Sequence, residues 1–546
     1  MPESLIDIRS KLSRTNNVFF SNFSQLTDIQ KKVIPLILED KNCLIISPTA
    51  SGKTEAVIAP ICEKLISRYE LRTSKPKLFV LCVFPTRALV NDMYKRLEHP
   101  LSRLNISIST KTSDQNNFNI KSPQNFLLTT PESLDSLLMR NSDVFKTLEY
   151  IILDELHFID NEYRGDQIRV LLQRIRNRVE NPNNLKTYVM SATITKPEIF
   201  ANRYMDYFEI IISKGSRKII FEPIHSGIQY NNLKEIHQIF LKKRIHKAIF
   251  FCNKRADVII LTKKLQEVFR TTDGIFEHHG KLSKNERKRV EDAMARTNNI
   301  LSICVATSTL EVGIDIGNID ATFLVDPPLT VSSLMQRIGR GNRRTNTTIC
   351  FGLYKNDEDM NIFQEMINKA KTEEIEEAEY AADLSVCVQQ ILSLSIEMQN
   401  VSGDKLSRKK IYQFLKPLEE DVKVLDLIIN KLINDNFIME KIGGIIEPNT
   451  QLLDHMEKSP MSVNTNIPFS RELAIVTTSG KKLGDVTGTY SKLSKIQFAS
   501  ATYRVLGMQN NKVIVEKYQK GNGSVPSMAR YCTYGRWYNY LPDELK

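Results

Sequence analysis

Three polar side chains able to hold a cation, orient water or move a proton close an apolar run: Asp154, Glu155 and His157 in residues 151–160, IILDELHFID. Two carboxylates beside an imidazole can ligate a metal, form a buried ion cluster that only holds a fold, or belong to a catalytic centre. Zinc asks for more than this segment offers, because no second His or Cys follows at ligand spacing and the H-E-x-x-H helix pattern is absent. The stretch needs a partner elsewhere in the chain.

Residues 47–54, SPTASGKT, supply one. A loop ending in Gly-Lys-Thr between a strand and a helix offers backbone N–H groups and a helix N-terminus to phosphate oxygens. Lys53 would reach the outer phosphates of a triphosphate and Thr54 would give its hydroxyl to Mg²⁺, with Thr49, Ala50, Ser51 and Gly52 lining the cradle. Ser47 stands where the strict pattern has its first glycine. Beside such a loop, Asp154 at the end of a neighbouring buried strand becomes the metal anchor. Glu155, one residue further on, is then placed to orient or deprotonate the attacking water.

These groups must be positioned by sheets. From about residue 42 to 350, short β-branched runs alternate with longer periodic segments. NCLIIS, LFVLCVFP, NFLLTT, YIILDE and LKTYVMSAT read as buried parallel strands, and KTEAVIAPICEKLISRY and DSLLMRN as helices between them. The pattern restarts with HKAIFFCN, GIFEHHG, NILSICVAT, ATFLVD and TICFGLY, around the helix KRADVIILTKKLQEVF. The expected fold class is α/β, with two tandem parallel-sheet domains over residues 1–213 and 214–370. Residues 371–460 read as a winged-helix-like unit, helical until a short hairpin, and residues 461–546 as a β-rich, barrel-like end piece.

A chain of 546 residues exceeds one hydrophobic core. With 41% hydrophobic and 25% charged residues it has a globular composition, neither disordered nor fibrous. No apolar run reaches the roughly 20 residues of a membrane span, and the start MPESLIDIRSKLSRT lacks a signal peptide's apolar segment, so a cytoplasmic protein is expected. Eight cysteines are scattered without a C-x-x-C pair and read as buried thiols of a reducing compartment. A formal charge of +12 favours polyanionic partners.

The residues also carry a resemblance. Asp-Glu-Leu-His is a D-E-x-H box, and the other signatures of superfamily 2 helicases follow in order around it: LTDIQ (26–30), the Gly-Lys-Thr loop, FPTRAL (84–89), TTPE (129–132), SAT (191–193), FFCN (250–253), VATSTLEVGID (305–315) and QRIGRGNRR (336–344). The resemblance implies two RecA-like domains with ATP and Mg²⁺ between them. It implies that Gln30 reads the adenine edge, that Gly313 and Asp315 bind nucleotide, and that Gln336, Arg340 and Arg343 act on the γ-phosphate from the second domain. Arg337 and Arg344 would be structural or strand-facing. His157, Ser191 and Thr193 would couple nucleotide state to the nucleic acid, whose backbone Thr86, Arg87, Thr130, Asn253 and Thr307 would contact. Asn342 stands where the family carries glycine.

Beyond this core, HHGKLSKNER (278–287), DLSVCVQQ (383–390) and the stretch from GKKLGDV to KVIVEKY resemble the large helicase-related (Lhr) family. That resemblance implies a DNA-dependent ATPase translocating 3′ to 5′ on DNA with a single-stranded tail, in repair or defence against foreign DNA, with protein partners of such a complex. An RNA helicase, or an ATP-gated clamp that does not unwind, are the alternatives. Trp537, the single tryptophan, is expected to be buried in the terminal β-rich domain in preference to splitting a duplex.

Overall fold

The computed structural model describes residues 5–21, 23–48, 51–68, 76–192, 194–213, 218–226, 233–280, 282–296, 300–311, 317, 319–328, 330–341, 347–372, 380–400, 404–458, 463–466, 472–480, 482–487, 495–498, 501–509, 512–517 and 535–546. Strands β1 (Asn42–Ile46), β2 (Val80–Val83), β3 (Ile108–Lys111), β4 (Phe126–Thr129), β5 (Tyr150–Asp154), β6 (Lys186–Ser191) and β7 (Phe208–Ile212) form a parallel sheet in the order β3-β4-β2-β5-β6-β1-β7. Alternate residues of each strand go to opposite faces. Cys43 and Ile45 join one apolar cluster, while Leu44 and Ile46 join another on the far side. Burial on both faces is why these strands are continuous apolar runs in sequence.

The second sheet repeats the design. Strands β8 (Lys218–His225), β9 (Lys247–Cys252), β10 (Ile275–His278), β11 (Ser302–Ala306), β12 (Ala321–Val325) and β13 (Thr347–Tyr354) run parallel in the order β10-β11-β9-β12-β13-β8. Phe250, Phe323 and Phe351 stack face to face on one side, with ring centroids 4.2 and 4.6 Å apart. The sequence reading had no strand at β3, β7 or β8, all of which lie at sheet edges.

Helices Ser385–Asn400, Arg408–Leu415 and Val422–Asn434 pack on a small antiparallel sheet of β14 (Leu406–Ser407), β15 (Ile438–Lys441) and β16 (Ile445–Pro448), a winged-helix arrangement. Gly443 and Gly444, at φ +89° and +72°, turn the β15–β16 wing. The helix Ser385–Asn400 is buried from Ser385 to Met398 because it lies against the first domain, sharing one apolar cluster with Met139 and Val170. Arg174, fully buried, donates across that contact to Glu397, Gln390 and Ser393, and within the first domain to Asp135.

The last sheet, β17 (Glu472–Thr477), β18 (Lys482–Thr487), β19 (Lys495–Phe498), β20 (Ala501–Gln509) and β21 (Lys512–Lys517), has the order β18-β17-β21-β20-β19. Trp537 is fully buried, but not there. Its ring lies 6.4 Å from Phe437 and 5.1 Å from Tyr540, and its Nε1 donates to the Thr465 carbonyl at 3.2 Å, which places it in the core of the helical unit. The seven described cysteines are free and buried, and Cys532 lies outside the described residues. No helix among the described residues is long and apolar enough to cross a membrane.

Candidate active site

In a parallel sheet the loops that bind ligands lie beyond the carboxyl ends of the strands. β1 delivers its loop there, and the helix Lys53–Arg68 starts at the loop's lysine. Gly52 has φ +89°, and a Cβ on it would lie 2.4 Å from Gln30 Nε2, so a side chain here is strained and would have to displace the Gln30 amide. Thr27 and Gln30 form a capping box on the helix Asp28–Leu38. Their remaining valences hold the loop: Thr27 Oγ1 donates to the Ser51 carbonyl at 2.9 Å and Gln30 Nε2 to the Gly52 carbonyl at 3.3 Å. Lys53 is buried, with Nζ donating to the carbonyls of Ser47 and Pro48. The hydroxyls of Ser47 and Ser51 are buried without a hydrogen-bond partner. Thr54 is half-buried in the first helical turn, and Thr49 and Ala50 lie outside the described residues.

β6 lies between β1 and β5, so Asp154 emerges on the same rim as the phosphate-type loop. Burial pushes its carboxyl up to about 7, the neighbouring Glu155 carboxylate adds to that, and Lys53 and Arg96 pull the other way. Glu155 adopts a left-handed backbone, φ +50°, and its N–H donates to Asp154 Oδ1 at 2.9 Å. Burial lowers the pKa of the His157 imidazole, whose Nδ1 lies 3.0 Å from Ser191 Oγ and 3.5 Å from Glu155 Oε2. Glu155 Oε2 and His157 Nε2 are buried without a hydrogen-bond partner. Thr193 lies outside the described residues.

Among the described residues no three His, Cys, Asp or Glu side chains make a self-sufficient cation cage. Mg²⁺ takes one or two carboxylates and fills its octahedron with phosphate oxygens and water. A hard, buried carboxylate at Asp154 and the Thr54 hydroxyl fit such an ion, whose charge would draw the Asp154 proton off.

Arg96 was not foreseen. It comes from the helix Arg87–Arg103, donates to Glu55 Oε1 at 2.9 Å and is close enough to act on Asp154. No spacing rule marks it, since only the packing of two helices brings it to the site.

The residues expected to face a nucleic acid are also at strand ends. Thr86, after β2, caps the helix Arg87–Arg103 by accepting from Leu89 N at 3.3 Å. Arg87 donates to Ser113 Oγ at 2.9 Å and pairs with Asp114. Thr130, after β4, precedes the helix Pro131–Asn141, with Oγ1 3.3 Å from Ser133 Oγ. Thr307 follows β11, its N–H donating to the His278 carbonyl at 3.2 Å.

Asn253 donates to the Pro327 carbonyl at 2.8 Å and accepts from Arg337 Nη1 at 2.9 Å. Gln336, on the helix Val331–Ile338, faces Ser332 Oγ at 3.4 Å. Arg340 is buried within the second domain, where its Nη2 donates to the Glu311 carbonyl at 2.5 Å. Glu311 also accepts from Arg337 Nε at 2.7 Å, a double role that the sequence reading missed inside VATSTLEVGID. Gly313, Asp315, Arg343 and Arg344 lie outside the described residues.

Family models described as DEAD/DEAH box helicase and as helicase conserved C-terminal domain match residues 27–200 and 228–345, together just over half of the chain. The chain is similar to the ATP-dependent helicase Lhr-Core of Sulfolobus acidocaldarius, 27% identical over 93% of this chain and 62% of that protein. Its likeness to Lhr-Core of Methanocaldococcus jannaschii is 27% over 93% and 64%. The chain thus spans about three-fifths of the length of the curated relatives it matches. Among solved structures, Mycobacterium smegmatis helicase Lhr bound to ssDNA and AMP-PNP superposes with a TM-score of 0.72 at 22% identity, covering 84% of this chain and 62% of that one. The DUF1998 helicase MrfA bound to DNA and AMPPNP gives 0.65 at 20%, covering 95% and 73%. Two RecA-like sheets, with the Gly-Lys-Thr loop and the Asp-Glu-Leu-His box at the carboxyl ends of β1 and β5, and matches on both domains agree: this chain belongs to the superfamily 2 DExH-box helicases, with a core of the Lhr type.

Proposed function

We propose that the chain hydrolyses ATP between its two RecA-like domains and uses the opening and closing of that cleft to move 3′ to 5′ along DNA, separating duplex from a single-stranded tail. The observation that carries the reading is the grouping of Lys53, Asp154 and Glu155 on one sheet rim, with His157 bonded to Ser191 beside them. Lys53 and the loop N–H groups would neutralise the triphosphate, and Gln30 would face the adenine from its place against Gly52. Mg²⁺ held by Asp154 and Thr54 would supply fixed positive charge on the phosphate oxygens. Glu155 accepts a proton from the attacking water through an oxygen that has no other hydrogen-bond partner. Arg340, and with it Gln336 and Arg343, completes the site from the second domain once its guanidinium exchanges the Glu311 carbonyl for a phosphate oxygen; such arginines contribute about 10³ to 10⁵ in rate.

Thr86, Arg87, Thr130 and Thr307 then grip sugar and phosphate, contacts that carry no base sequence. Asn253 acts indirectly, by fixing Arg337. Such an activity serves DNA repair or defence against foreign DNA in the cytosol, alongside protein partners. The test is ATP-dependent strand displacement on duplexes with a 3′ or a 5′ tail, of DNA or RNA. Displacement from 3′-tailed DNA is expected. Activity only on RNA or only on 5′ tails contradicts the substrate or the polarity, and hydrolysis with no displacement on any duplex points to a clamp.

A further inference from the structure

The junction between the second RecA-like domain and the winged-helix unit carries a side chain that the chemistry above does not use. Tyr380 is half-buried, with the guanidinium of Arg169 4.2 Å from its ring centroid and that of Arg203 at 4.1 Å. Its hydroxyl donates to Asp166 Oδ1 at 2.7 Å. The charged partners all belong to the first domain and are paired among themselves, Arg169 with Asp166 and Arg203 with Asp160. Three residues on, Asp383 N donates to the other Asp166 oxygen at 2.7 Å, and the Asp383 carboxylate accepts from Ser385 N and Gly535 N, both at 2.9 Å. Residues 373–379 lie outside the described residues. Through Tyr380 and Asp383 the chain is fastened to the first domain at the two oxygens of one buried carboxylate.

This fastening lies directly behind the turn that bears Glu155 and His157. Asp160 ends IILDELHFID, and its N–H donates to the Leu156 carbonyl at 3.0 Å. The helix Tyr163–Arg176 is pressed against the turn so closely that a Cβ on Gly165 would meet the Ile159 carbonyl oxygen at 2.4 Å. The Asp160 carboxylate accepts from Tyr204 at 2.6 Å and pairs with the same Arg203 that lies over Tyr380. One flank of the turn therefore bonds to Ser191, and the other rests on a group braced through Tyr380.

We infer that Tyr380 is a positioning residue for ATP hydrolysis, through which the interdomain junction holds the Asp160 end of the catalytic turn in register with the phosphate loop. When the second domain moves, load on the chain entering at Tyr380 is borne by Asp166 and Asp160 and not by Glu155. The inference rests on the hydrolysis proposed above.

The experiment measures ATP turnover stimulated by single-stranded DNA, together with binding of a fluorescent ATP analogue, for the full chain and for Tyr380→Ala, Tyr380→Phe and Arg203→Met. Misalignment of a reacting group costs rate before affinity, so Tyr380→Ala lowers stimulated kcat by about ten- to a hundredfold while analogue affinity stays within about threefold. Tyr380→Phe keeps the ring between the guanidinium groups but gives up the Asp166 bond, and its turnover falls between wild type and Tyr380→Ala. Arg203→Met behaves as Tyr380→Ala does, and decides alone if that variant fails to fold. The role is overturned if kcat is unchanged, if the loss lies in affinity alone, or if Tyr380→Phe fails as badly as Tyr380→Ala. A wild type without DNA-stimulated turnover overturns the ATPase reading and the positioning role with it. Wild-type turnover with an unaffected Tyr380→Ala overturns only the latter.

Discussion

Glu155 ends its strand in a left-handed conformation that a non-glycine residue adopts at a cost of roughly 1–3 kcal/mol. The surrounding turn holds it there, and its Oε2, which makes no hydrogen bond although His157 Nδ1 lies 3.5 Å away, is the acceptor for a water proton. Glu155→Gln keeps the shape and removes the base, so steady-state ATP turnover falls by about 10² to 10⁴ while ATP analogue binding persists; near-normal turnover would sink the assignment. Gly52→Ala forces a Cβ into the Gln30 amide at a positive φ. Nucleotide affinity should collapse there with the far-UV circular dichroism spectrum intact, and an unimpaired affinity would show the loop to be more adaptable than its packing. Lys53, Asp154 and Glu155 are legible in sequence because they fall in two short patterns, the Gly-Lys-Thr loop that follows β1 and the Asp-Glu box that closes β5. Arg96 and Glu311 were not, because each acts on a group from another element. The bonds of Asn253 to the Pro327 carbonyl and to Arg337 could not be read from its motif, because both partners come from other elements.

At the scale of elements, β5 and β6 each bring one half of the contact between His157 and Ser191, so a shift at the nucleotide can reach the SAT segment by one hydrogen bond. Ser191→Ala should leave ATP turnover within about threefold while strand displacement falls about tenfold; parallel losses in both would place the hydroxyl in catalysis and not in coupling. Central strands could be read from sequence because burial on both faces makes them unbroken apolar runs. The missed strands β3, β7 and β8 are edge strands, whose partly exposed residues dilute that pattern.

At the scale of the molecule, the winged-helix unit is bonded to the first RecA-like domain through groups that sequence could not pair. Arg174 and Glu397 stand 223 residues apart and meet at 2.9 Å without solvent. Glu397 accepts from both Arg174 and Arg178, so Glu397→Ala strands buried charge and should cost about 3–5 kcal/mol in denaturant unfolding. A loss near zero would mean that the two units are held by their apolar contact alone. The burial of Trp537 followed from its size, but its host could not be read, because the chain returns to the helical unit only after the last described strand. Basic charge and backbone-directed loops predict that affinity for single-stranded DNA falls steeply with salt, with log K dropping by about 0.7 per log unit of salt for each phosphate neutralised. A flat dependence would contradict phosphate-led binding.

The most direct test of the whole account is the rate of ATP hydrolysis by the full chain with single-stranded DNA, with single-stranded RNA and with neither. A rate raised well above basal by DNA, and lost in Lys53→Ala, is the predicted result. Hydrolysis that is absent, or indifferent to both nucleic acids, would contradict it.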